Sequence, residues 1–148
     1  MSYRFKGGFS DGDGGVLQAA LERWPFCSGR EISSPFRGFG IRCPDPDDRK
    51  DAPPEEHEQM RDDAYAVEQE LPDFSAAFPG VTFVFLFADC FASRCMYTGY
   101  AARDGDVVLE IDKAPIGRAS LQELIGTLGV RLVDGYFEPL VRGFWKTA

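Results

Sequence analysis

The segment 81–87 constrains the fold of this chain more than any other part of the sequence. It reads Val-Thr-Phe-Val-Phe-Leu-Phe and is apolar at positions that would face both sides of a strand. It is too short for a good helix and rich in residues that favour β structure, so it predicts a central strand covered on both faces. A chain of 148 residues can build one hydrophobic core around such a strand. No apolar run approaches the roughly 20 residues that span a bilayer.

Two strands are predicted directly after this segment. Residues 94–102 and 106–112 flank Asp104-Gly105, which is the strongest short hairpin signal. We therefore expect the three strands to form a meander.

Two further segments show strand patterns near the start of the chain. Residues 3–9 carry aromatic side chains in near alternation and run into a glycine-rich turn. Residues 30–43 also alternate, but Pro35 and Gly38 interrupt the pattern. We interpret 30–43 as one strand with a bend or an edge position.

Three helices are predicted from apolar spacing and end signals. Asp13 can cap the first helix and Pro25 ends it. The second helix covers 54–71 and the third runs from a capping Ser120 through Leu128. The buried stripe of the second helix is expected to consist of Met60, Ala64, Val67 and Leu71.

The order of these elements indicates an α+β fold. Runs of strands are bracketed by helices without regular βαβ alternation, so we expect a single domain, 1–148, with a mainly antiparallel sheet and helices packed on one face. The proline-rich segment 44–54 predicts a mobile acidic surface loop. The tail 130–145 fits a short strand followed by a final helix over 136–145, and its type stays open.

The charge of the chain is concentrated in one segment. The net charge is −8, and residues 45–73 hold twelve acidic and three basic side chains. Nucleic acids and anionic membranes both require clustered cations, so neither is an expected partner.

The first residues and the cysteines predict a compartment. The start, Met-Ser-Tyr-Arg-Phe-Lys-Gly-Gly, lacks the apolar stretch and cleavage site of a secretory signal, so we expect a cytoplasmic protein. Its cysteines should then be reduced thiols. The C-x4-C spacing leaves half of a zinc site or a redox pair as alternatives. The four cysteines are Cys27, Cys43, Cys90 and Cys95.

Gly8-Phe9-Ser10-Asp11-Gly12 matches the G-x-S-x-G pattern of hydrolases between a predicted strand and a predicted helix. The single histidine of the chain, His57, stands in an acidic stretch far from this motif. We therefore interpret the motif as a glycine-rich turn rather than a nucleophile site.

The same region partly matches the sequence pattern of a calcium-binding loop. Asp11, Asp13 and Glu22 fall at positions 1, 3 and 12 of such a loop, but Gly15 and Val16 occupy positions that need an oxygen ligand and a glycine. We predict no catalytic residue, no metal site and no cofactor.

The acidic segment is the candidate functional surface. It can act as a solvated face that keeps the protein in solution. It can also steer a basic partner by long-range attraction, with exposed aromatic side chains as contact points. The predicted partner-binding residues are Asp47, Asp48, Asp51, Glu55, Glu56, Glu58, Asp62 and Asp63.

One stretch resembles a known class of proteins. Asp89-Cys90-Phe91-Ala92-Ser93-Arg94-Cys95-Met96-Tyr97-Thr98-Gly99-Tyr100, followed by Arg103-Asp104-Gly105-Asp106-Val107-Val108, resembles a strand-turn-strand pattern of small cytoplasmic immunity proteins from bacterial toxin systems. The resemblance covers about twenty residues. It implies a noncatalytic inhibitor that binds a cognate toxin, and an acidic surface would suit a basic toxin such as a nuclease.

Two other classes remain as alternatives. A small-ligand-binding protein or an enzyme would place its site at the 89–95 turn, where Asp89 and Cys90 end a buried strand. A structural or oligomerising component would use the aromatic tail. The sequence does not indicate an oligomeric state.

Overall fold

Six strands form one antiparallel sheet in the computed structural model, which describes residues 2–92, 94–112, 118–134, 136–141 and 143–146. The strand order is β2-β3-β1-β4-β5-β6, and every neighbouring pair is antiparallel. The predicted α+β class with an antiparallel sheet is confirmed. The strands are β1 (Ser2–Ser10), β2 (Ser28–Ile32), β3 (Gly38–Arg42), β4 (Thr82–Phe91), β5 (Arg94–Arg103) and β6 (Asp106–Ile111).

Strand β4 is buried on both faces, as the apolar segment 81–87 predicted. Phe83 and Phe85 point to one side of the sheet, and Val84 and Leu86 point to the other. All four side chains are buried. The meander of β4, β5 and β6 is also confirmed, with its second turn at Asp104-Gly105.

Each face of β4 is covered by helical structure. Helices α1 (Gly14–Arg23) and α2 (Pro54–Ser75) pack on the Phe83 side. Helix α3 (Ala119–Gly126) packs on the Val84 side together with the C-terminal segment. Helices α1 and α2 lie on one face of the sheet, as predicted for all three helices. Helix α3 lies on the opposite face and forms a third layer, because β4 is apolar on that face too.

The two long helices follow their sequence signals closely. The Asp13 carboxylate accepts hydrogen bonds from Gly15 and Val16 N–H, which confirms the predicted cap of α1. Helix α2 begins at Pro54 and buries Ala64, Val67 and Leu71. It continues to Ser75, four residues beyond the predicted end.

The interpretation of 30–43 as one strand is wrong. The segment forms a hairpin in which β2 returns antiparallel to β3, with Arg30 opposite Gly40. The chain reverses at residues 33–37, where Pro35 lacks an N–H for the ladder. Gly38 then lies against β1, where a Cβ atom would stand 1.9 Å from the Ser10 carbonyl oxygen.

Two predictions near the C-terminus also differ from the structure. Ser120 does not cap α3, since the N-cap position is Arg118 and Ser120 is buried inside the first turn. The described residues of the tail contain short 3₁₀ turns at Glu138–Leu140 and Phe144–Lys146, and neither a strand nor an α-helix. Pro139 accounts for the missing helix, because a proline in a helix interior removes a hydrogen bond and clashes with the preceding turn.

We predict that Gly99→Ala destabilises the protein more than Gly129→Ala does. Both glycines have positive φ angles of 150° and 80°, so either substitution strains the backbone by about 1 kcal/mol or more. A Cβ at Gly99 would also stand 1.9 Å from the Phe85 carbonyl oxygen, whereas a Cβ at Gly129 meets nothing within 4 Å. In urea unfolding, Gly99→Ala should lower the free energy of unfolding at least twice as much as Gly129→Ala does. Equal losses would mean that β4 and β5 separate easily at this point.

Candidate functional site

The acidic segment begins with an ordered turn. Residues Pro46–Arg49 form a 3₁₀ helix capped by Asp45, whose Oδ1 accepts a hydrogen bond from Asp47 N–H at 2.9 Å. Asp48 accepts the Asp45 N–H in return at 3.1 Å. Asp45 is 6% exposed. This half of the segment 44–54 therefore forms a capped turn, and the mobility of the segment stays a prediction.

Two arginines from the sheet neutralise this turn. Arg42, the last residue of β3, donates to both carboxylate oxygens of Asp48 at 2.8 and 2.7 Å. Arg4 of β1 lies 3.7 Å from Asp45 and 3.5 Å from Asp47. The first carboxylates of the segment therefore serve the fold.

The Arg42–Asp48 pair shifts both pKa values. Partial burial acts to raise the pKa of Asp48, but the hydrogen bonds from Arg42 and Asp45 and the Arg42 charge outweigh it and hold that pKa below its usual value. The hydrogen bond to Asp48 raises the pKa of Arg42. The pair is thus ionised at neutral pH and stabilises the folded state.

Further ion pairs occupy the flanks of α2. Arg49 lies 3.0 Å from Glu56, and Arg23 of α1 lies 2.9 Å from Glu70. Glu70 also accepts from the Trp24 indole at 3.2 Å.

The outward side of α2 carries carboxylates that, unlike those on the flanks, have no ion-pair partner among the described residues. Glu55, Glu58, Asp62 and Asp73 follow one stripe opposite the buried stripe, because residues three, four and eleven positions apart share a helix face. All four side chains are exposed, and within the described residues none of them makes an ion pair or a side-chain hydrogen bond. We call these four residues the outer acidic face.

The predicted partner-binding residues therefore fall into separate groups. Glu55, Glu58 and Asp62 lie together on the outer acidic face. Asp51 is exposed just before α2, and Asp63 lies on a flank and accepts a hydrogen bond from Gln59 at 2.8 Å. The three that are paired with the protein's own arginines are Asp47, Asp48 and Glu56.

Two residues beside these carboxylates were not among the predicted partner-binding residues. Tyr65 is 62% exposed and stands three positions after Asp62, so the two side chains are neighbours on the helix surface. Asp73 extends the outer acidic face by another three turns. Helical spacing could have predicted that both residues face outward, because neither falls on the predicted apolar stripe of α2.

The expectation of four reduced thiols is wrong for one pair. Cys90 and Cys95 form a disulfide. They are directly opposed partners of β4 and β5, with Cα atoms 4.0 Å apart, because the hairpin turn lies midway between them.

The other two cysteines, Cys27 and Cys43, are buried free thiols. A hydrogen bond to Cys27 and then burial raise the pKa of Cys43 well above its usual value. Both side chains are buried, and the raised pKa makes Cys43 a poor nucleophile in the folded protein.

The alternative site at the 89–95 turn stays a prediction. Asp89 is exposed there, and the Cys90 sulfur is bound to Cys95, so Cys90 is not a free thiol in this state. A cavity of about 220 Å³ lies elsewhere, between the Pro35 turn and the C-terminal segment at Tyr136.

The motifs near the first turn serve the structure. Ser10 is fully buried, and its hydroxyl accepts the Gly12 N–H at 3.0 Å. Asp11 accepts the Thr82 N–H at 2.8 Å. His57 bonds to the Arg49 carbonyl at 2.7 Å. The described ranges contain no group of three His, Cys, Asp or Glu side chains arranged for a metal ion.

Comparison with protein-family models, with curated proteins and with solved structures gave no match for this chain. In the part of the chain that the structure covers, no helix has the length and apolar character needed to cross a membrane.

We predict that Asp48→Asn destabilises the protein by about 1 kcal/mol at pH 7, after allowance for solvent screening of a side chain that is 37% exposed. Because the folded-state pKa of Asp48 is lowered, the stabilisation is present above the unfolded pKa of about 3.9 and disappears as the pH falls through the folded value. Urea unfolding between pH 7 and pH 2 should show the wild-type advantage shrinking below about pH 4. Asp51→Asn removes the same charge from an exposed position and should have little effect. An Asp48→Asn loss that does not depend on pH would contradict the ion pair.

Proposed function

We propose that this protein is a noncatalytic protein-binding domain that captures a basic partner through the outer acidic face of α2. The observation that carries the proposal is the contrast within one acidic segment. Carboxylates near the sheet are neutralised by Arg4, Arg42 and Arg49, whereas the outer acidic face has no ion-pair partner among the described residues.

The outer acidic face concentrates like charges on one side of α2, and the favourable position of Glu55 and Glu58 near the helix N-terminus offsets part of their repulsion. Like charges at i and i+3 or i+4, as at Glu55, Glu58 and Asp62, repel each other and weaken a helix. Asp73 near the C-terminal end of α2 also opposes the helix dipole. A cationic partner would relieve this repulsion, and its approach would be accelerated by long-range attraction.

Tyr65 gives this surface an apolar contact point. An exposed tyrosine offers a large, rigid contact area, and aromatic residues are enriched among the side chains that dominate binding energy. Its position next to Asp62 places it at the border of the outer acidic face.

The narrower proposal is an immunity protein that neutralises a basic toxin in the bacterial cytoplasm. It rests on the resemblance of residues 89–100 and 103–108 to such proteins, and the outer acidic face suits a cationic toxin such as a nuclease. In the bridged state Cys90 is not available as a free thiol nucleophile at that turn.

The proposal predicts that neutralising the outer acidic face slows binding. The variant E55Q/E58Q/D62N should associate with a basic partner captured by the wild type about tenfold more slowly, with its urea midpoint nearly unchanged. The control E22Q/E110Q/D112N removes the same charge from exposed positions elsewhere and should bind at nearly the wild-type rate. Stopped-flow association kinetics measures both.

Two results would contradict the proposal. One is an equal effect of both triple variants, since only the net charge would then matter. The other is an association rate that stays constant between about 50 and 500 mM salt, because screening must weaken long-range attraction.

The narrower proposal has its own test: the protein should protect cells against the product of an adjacent gene and inhibit that product at one-to-one stoichiometry.

A further inference from the structure

We propose that Cys90 and Cys95 form a thiol–disulfide exchange site, which reacts with small thiols of the glutathione class and alternates between a bridged and an open state. The inference does not depend on the acidic surface of α2.

The fold does not require this bridge. Strands β4 and β5 pair over ten residues each, from Thr82 opposite Arg103 to Phe91 opposite Arg94. The two cysteines are separated by five positions, so the bridge closes a very short loop. Cross-links of short loops remove less entropy from the unfolded chain than cross-links of long loops, and the ladder of β4 and β5 can hold the hairpin in either state.

The bridge lies at the open end of the hairpin. Cys90 and Cys95 are half-buried, Cys95 packs against the core on the α3 side, and the neighbours Phe91, Arg94 and Met96 are exposed. A dissolved thiolate can approach such a site, which is the requirement for exchange.

The second cysteine pair provides an internal contrast. Cys27 and Cys43 are neighbours joined by a hydrogen bond, yet they are free thiols at 9% and 1% exposure. The bridged pair is thus the less buried of the two, and the reduced pair is the one enclosed in the core.

The exchange reaction is balanced by the small thiol alone. Its thiolate attacks one sulfur of the bridge, the S–S bond breaks, and the other cysteine leaves as a thiolate that takes up a proton. A second small thiol then attacks the mixed disulfide and releases the second cysteine. Two electrons pass to the bridge, giving two cysteine thiols and one disulfide of the reagent.

Opening the bridge changes a surface feature of the protein. Phe91 is 73% exposed and Met96 is 45% exposed, and each lies next to a bridged cysteine. The bridge fixes the distance between the strands that carry these two apolar side chains. The redox state therefore controls how rigidly the hairpin end presents them.

The test equilibrates the folded protein with mixtures of reduced and oxidised glutathione, quenches with acid, alkylates and measures peptide masses. We expect Cys90 and Cys95 to pass between bridged and alkylated forms at the same ratio from either direction. Reduction of the Cys90–Cys95 bridge should be at least tenfold faster than alkylation of Cys27 and Cys43 in the folded protein. The variant C90S/C95S should keep the wild-type circular dichroism spectrum, since the ladder holds the hairpin.

Three outcomes would overturn the proposal. The first is a bridge that resists excess thiol until denaturant unfolds the chain. The second is an opened pair that does not close in oxidised glutathione, and the third is a C90S/C95S variant that does not fold. Each result would make the bridge a structural staple.

Discussion

Burial of β4 on both faces is the constraint on which the rest of the structure depends. Its phenylalanines on one side and its aliphatic residues on the other cannot both be covered by a single layer. Helix α2 must therefore turn its apolar stripe toward Phe83 and Phe85. The opposite stripe of the same helix is then forced outward, and that stripe is acidic. The proposed binding surface is in this sense a consequence of the core.

The arginines of the sheet decide which carboxylates remain available. Arg42 binds Asp48 with both arms of its guanidinium group, and Arg4 lies between Asp45 and Asp47. These contacts stabilise the turn before α2, and the arginines neutralise the negative charge of its carboxylates. The outer acidic face, farther along the chain, keeps a net negative charge because no described arginine or lysine forms an ion pair with it, and Arg61 is the one arginine or lysine of α2 beside it.

Local patterns predicted the elements well where one interaction dominates. The double-sided apolar run gave β4, Asp13 capped α1, and Asp104-Gly105 turned the last hairpin. The hairpin within 30–43 was missed because alternation looks the same on both sides of a turn. The partition of the acidic segment was missed because it depends on contacts with the sheet arginines, which residue spacing does not encode. The C-x4-C spacing left a redox pair open beside half of a zinc site, and the register of β4 and β5 brings the two cysteines together.

The most direct test of the central claim is a map of where cations bind. Amide chemical shifts recorded by NMR during titration with a lysine-rich peptide locate the most attractive surface residue by residue. The account predicts the largest changes at Glu55, Glu58, Asp62 and Tyr65, smaller changes at Asp47 and Asp48, and disappearance of all of them at high salt. Changes centred on the capped turn, or spread evenly over the protein, would contradict it.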